Sequence, residues 1–135
     1  MLTAYFEHKS ILHTVLRVNA AFSGLFGLVF SLFSGTFADW LGIPNPTAIL
    51  VAGLLLIVWE VIIFQLVRQI HINPTSVWAV IVGDLAWVVG SIALLLGGWL
   101  PLTTAGLWFV AIVADIVLVF AIVQYIGLKK QANLA

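Results

Sequence analysis

Arg17, Glu60, Asp84 and Asp115 are ionisable side chains that interrupt long apolar runs of this 135-residue chain. Inside a bilayer, each such charge costs at least ~2.5–3.5 kcal/mol on insertion scales, so each calls for a partner or a task. Three carboxyls and one guanidinium could form ion pairs, hold a proton or bind a cation. A single arginine neutralises one carboxylate, ideally in a bidentate pair. Two acids then remain, and at least one is expected to carry a proton at neutral pH. Arg17 lies seven residues before Gly24, on the face of a run of small residues, and is expected to point inward and pair with Glu60 or Asp84. Asn19, Ser23 and Gln65 add polar groups at similar depth; Gln124 reads equally well as an interfacial residue. Trp87 lies one turn from Asp84, Trp59 adjoins Glu60, and Phe64 follows Glu60 on its face. Carboxylates with aromatic walls suit an organic cation, through charge pairing and contact with the ring faces. The candidate ligand- or ion-binding residues are therefore Arg17, Asn19, Glu60, Asp84, Trp87 and Asp115. The competing interpretation is an internal clamp that fixes helix register.

Other chemistries find no residues to run them. The chain has no cysteine, which removes thiolate metal sites and disulfide relays. His8, His13 and His71 lie at the margins of the apolar runs, and His8 and His13 are about 140° apart around a helix. They do not make a metal site. No phosphate-binding loop, zinc-protease motif or nucleophile elbow is present. Neither an enzymatic activity, a cofactor nor a metal is expected. Five Lys/Arg balance five Asp/Glu, so no basic footprint for nucleic acid exists.

The elements that must position these groups are spanning helices. Of the residues, 64% are hydrophobic and 7% charged, with mean hydropathy +1.24. A soluble domain carries about 25% charged residues, so the partner of this surface is the lipid bilayer. Four stretches reach the ~20 apolar residues a crossing needs: 12–34, 48–67, 77–97 and 104–126. They predict one membrane domain over 1–135, an all-α transmembrane four-helix bundle running up-down-up-down. Asn45-Pro46-Thr47 and Asn73-Pro74-Thr75 read as helix starts, with Asn as cap and Pro at the first helical position. The segment 35–47 reads as a connection. The first span is too long for the apolar core of a cleaved signal and is expected to be retained. Lys9, Arg17, Arg68, Lys129 and Lys130 all fall on one side, which predicts cytoplasmic N- and C-termini. Trp40 and Trp99 mark the outer boundary, Trp78 and Tyr125 the inner one.

Small residues expose an internal repeat. Gly24, Gly27, Ser31, Ser34 and Ala38 match Gly83, Ala86, Gly90, Ala93 and Gly97 at a constant offset of 59. Steps of three and four make a straight seam along a helix, and in lipid such seams let backbones approach. Two parallel-repeat hairpins, 1–67 and 68–135, are expected. Spans one and three should pack together at the centre through Gly24, Gly27, Ser31, Gly83, Ala86 and Gly90.

The strings Leu16-Arg17-Val18-Asn19-Ala20 and Asp84-Leu85-Ala86-Trp87-Val88-Val89-Gly90-Ser91 resemble segments of a broad group of small four-span bacterial integral membrane proteins of unassigned function. The resemblance implies a bacterial inner membrane and transfers no activity. Small multidrug-resistance transporters share the layout but carry their key Glu in the first span, where this chain has Arg17 and Asn19. Two function classes follow. In one, the bundle binds or transports a proton, a cation or a small amphipathic ligand. In the other, it is a non-catalytic assembly subunit of a homo-oligomer or larger membrane complex.

Overall fold

The computed structural model describes the backbone of residues 2–134 and the side chains of residues 11–130; the side chains of His8 and Lys9 lie outside the described residues. Five helices follow one another: α1 (Leu2–Leu32), α2 (Ser34–Leu41), α3 (Pro46–Val67), α4 (Pro74–Gly97) and α5 (Thr104–Leu134). Four contain segments long and apolar enough to cross a membrane: Ile11–Leu32, Pro46–Val67, Pro74–Gly97 and Thr104–Lys130. The protein is an all-α, integral membrane four-helix bundle.

Both expected helix starts form. Asn45 Oδ1 accepts from the Thr47 backbone N–H, and Asn73 Oδ1 from that of Thr75, each at 2.9 Å. Pro46 and Pro74 then occupy the first turn, where no N–H is missed. The segment after α1 differs from expectation. Phe33 leaves helical geometry (φ −124°, ψ 36°), and the chain re-enters a short helix, α2, inside what reads as a connection. Gly42 stops α2 at φ 84°, a conformation that favours glycine. It also packs directly against the backbone of Pro101–Thr103, leaving no room for a Cβ. Thr103 completes the junction: its Oγ1 donates to the Trp40 carbonyl at 2.7 Å and its N–H donates to that of Leu41 at 3.0 Å. Gly106 in turn donates its N–H to Thr103 Oγ1 at 2.9 Å.

The helix order corrects the expected central seam. α1 packs between α3 and α5, α4 packs on α5, and α1 and α4 do not pack along their lengths. The small residues of α1 do form a seam, but against α3. A Cβ on Gly24 would meet Glu60, one on Gly27 would meet Ile57 and the Gly53 backbone, and one on Gly53 would meet Ser31. α3 supplies a glycine where α1 needs close approach; α4 is not brought to that face. On α4, Gly83 lies under the Trp59 indole, Ala86 is exposed, and Gly90 is exposed with open space before it.

The bundle is filled unevenly. At the end bearing both termini, Leu12, Leu16, Ile63, Leu66, Val77 and Ile81 close a tight apolar core. Toward the other end, Phe30, Ala38, Leu41 and Ile49 form a smaller cluster, in which α2 acts as a cap. Between these two plugs, α3 reaches α4 through Trp59, whose indole covers Gly83, and beyond it toward α2 the two helices make little direct contact.

Candidate ligand site

Asp84 is buried in the middle of α4, roughly 15 Å along the helix from Pro74 at 1.5 Å per residue. Two side-chain amides from two other helices converge on it. Asn19 Nδ2 donates to Asp84 Oδ2 at 2.8 Å, and Gln124 Nε2 donates to the same oxygen at 3.0 Å. The amides also join each other, Asn19 Nδ2 donating to Gln124 Oε1 at 2.9 Å. Ser23 Oγ donates to Asn19 Oδ1 at 3.2 Å and fixes which way that amide faces. Asn19, Ser23, Asp84 and Gln124 are all buried, Gln124 completely. This node ties α1, α4 and α5 together in a medium with no water to replace a lost bond.

The carboxyl has three side-chain donors. Both amides go to Oδ2, and the Trp59 indole from α3 donates to the carboxyl as well. Asp84 also lines a groove of about 490 Å³, together with Asn19, Ser23, Trp59, Trp87 and Ser91. That volume falls in the range of small-molecule sites, which are typically apolar with a few placed polar groups. From Asp84 the groove runs toward the α2 end over Phe22, Phe26, Phe30 and Phe109. These rings form a continuous floor, Phe22 to Phe26 at 4.7 Å, Phe26 to Phe30 at 5.8 Å and Phe26 to Phe109 at 5.8 Å between centroids. Leu55, Val58 and Trp87 line the groove and are also exposed, so they form its lips between α3 and α4.

Of the residues singled out from the sequence, the site brings together Asn19, Asp84 and Trp87. Arg17 is exposed and makes no ion pair among the described residues. Two residues before Asn19, it sits about 200° around the helix, so Arg17 and Asn19 cannot both face inward. Nor does it meet Glu60. Glu60 is level with Gly24, and seven residues separate Gly24 from Arg17, roughly 10 Å of helix. Glu60 is half-buried on the α1–α3 flank, away from the amide node. Asp115 is exposed on α5. Nine residues separate it from Gln124, which at about 100° per residue puts the two on opposite faces. The expected convergence of three acids and one arginine therefore reduces to one acid, two amides and the Trp59 indole. Gln124 and Ser23 are the members that sequence reasoning undervalued. A polar side chain in an apolar run was the sole signal for either. Among the described residues, no three His, Asp or Glu side chains group closely enough to hold a metal.

The chain matches no protein-family model, no curated protein and no solved structure.

Proposed function

We propose that this protein binds a small amphipathic cation within the membrane, with Asp84 as its anchor. The observation that carries this reading is a single carboxyl, held in place by donors from three other helices, that lines an otherwise apolar groove. Two amides orient the carboxyl through Oδ2, while its residue lines a groove whose other walls are aromatic and aliphatic. A cation on the carboxylate would gain a charge-assisted bond and contact with the faces of the aromatic rings beside it, Trp59 and Trp87. A buried carboxylate without a charged partner is costly. The lysine and arginine distribution supports cytoplasmic termini. The resemblance to small four-span bacterial proteins supports an inner-membrane location.

Asp84→Asn tests the reading. The variant keeps a side chain of the same shape with an acceptor for the amides, so the fold should survive. Binding of tetraphenylphosphonium to protein in nanodiscs should fall at least tenfold. Unchanged binding, with thermal stability preserved, would reject Asp84 as the anchor. A second reading is favoured by the same amides: the node is a register lock for an assembly subunit. Under that reading the variant alters stability alone.

A further inference from the structure

The groove has a direction, which says how its occupant lies and where it comes from. All groove-lining positions run from the Asp84 level toward α2: Asn19 to Phe30 on α1, Trp59 back to Ala48 on α3, Asp84 to Leu94 on α4 and Val117 back to Phe109 on α5. Each run covers about 12–17 Å at 1.5 Å per residue. The opposite direction is shut by the apolar core of Leu12, Leu16, Ile63 and Val77. The α2 end is shut as well, because Thr103 and Gly42 pin the loop after α4 to the end of α2. Beyond Trp59, which covers Gly83, the side between α3 and α4 is open, and its lips carry the exposed apolar side chains Leu55, Val58 and Trp87. A water-soluble ion would have to cross lipid to reach this opening, whereas a membrane-dissolved amphiphile is already beside it.

Building on the ligand reading above, we infer that the occupant is a single-chain alkylammonium amphiphile, taken up sideways from the bilayer between α3 and α4. Its ammonium group sits on the Asp84 carboxylate, and its chain lies along the phenylalanine floor toward α2. A primary ammonium fits better than a quaternary one. It brings N–H donors to a carboxylate whose three donors leave acceptor capacity over, and it adds the ring-face contact that any cation would make. Ala52 lies on the path of the chain, so enlarging it should obstruct the tail without touching the node.

The test uses full-length protein in phosphatidylcholine nanodiscs, with equilibrium binding of dodecylamine corrected for uptake by empty discs. Dodecylamine should bind at least tenfold tighter than methylamine or dodecyltrimethylammonium. Asp84→Asn and Ala52→Phe should each weaken it at least tenfold, with thermal unfolding checked for both. A dodecylamine bearing a nitroxide on its terminal carbon should quench the emission component that is lost in Trp40→Phe, because Trp40 meets the groove-lining Phe109 edge to face at 5.4 Å. If methylamine binds as tightly as dodecylamine and Ala52→Phe changes nothing, the chain assignment is wrong while Asp84 remains the anchor. Should no amine bind above disc uptake and Asp84→Asn make no difference, the ligand reading falls together with the inference. Quenching of the component lost in Trp78→Phe, in place of the Trp40 component, would reverse the orientation and overturn it.

Discussion

Gln124 makes the plainest case at the scale of single residues. It is completely buried, accepts from Asn19 and donates to Asp84. Interhelical hydrogen bonds in membranes are worth about 0.6 kcal/mol on average and up to ~1.7. Gln124→Leu removes two of them and leaves Asn19 and Asp84 short of a partner. It should lower stability by about 1–2 kcal/mol, read by unfolding in mixed detergent. Gln65→Leu is the control: Gln65 is exposed, and its loss should change little. Asp115 predicts the opposite sign. Exposed on the lipid-facing side of α5, its carboxyl gains nothing from the node. Asp115→Leu should favour insertion of α5 by about 2.5–3.5 kcal/mol on insertion scales, measurable by glycosylation mapping, with no loss of ligand binding.

Small residues decide which helices touch. Gly27 and Gly53 sit where α1 and α3 come closest, each meeting the other helix's backbone at about 3 Å from a built Cβ. Gly27→Leu should therefore separate the pair and cost several kcal/mol, in the range of overpacked cores. Gly90→Leu should be nearly silent in the same unfolding assay, since open space lies before it. Element boundaries were readable from the sequence because caps are local chemistry: Asn-Pro-Thr announces a helix start from three adjacent residues. Helix partnership was not readable in that way. A run of Gly and Ser at three/four spacing says that some backbone comes close, and the repeat suggested α4; Gly53 on α3, a lone glycine with no periodic company, was the actual complement. The functional site divided on the same line. Asp84 and Asn19 stand out as polar residues in apolar runs, but the rotation of α5 that turns Gln124 in and Asp115 out follows from packing against α1 and α4. No local pattern encodes it.

For the whole molecule, four crossings bring both ends of the chain to one face, and the one-sided lysines and arginines support the proposal that it is the cytoplasmic one. Reporter fusions at either terminus should both give cytoplasmic signals; one of each would break the even count of spans. Closure of the bundle also imposes an order in time. The α1–α3 pair is complete as soon as Val67 has entered the bilayer, and its glycine seam requires nothing made later. The bond from Thr103 to Trp40 joins residues 63 apart, and that from Asn19 to Gln124 joins residues 105 apart. Asn19 and Asp84 must therefore wait in lipid until nearly the entire chain has left the ribosome. A nascent chain halted before Gln124 carries a carboxyl short of one of its three donors, in a helix whose packing partner α5 is unfinished. Such a chain is marked as incomplete by its own chemistry, which gives the membrane's proteases a physical difference to act on between an unfinished molecule and a finished one. Pulse-labelled chains truncated at residue 120 should be degraded faster than full-length protein, and Asp84→Leu in the truncated chain should slow that loss.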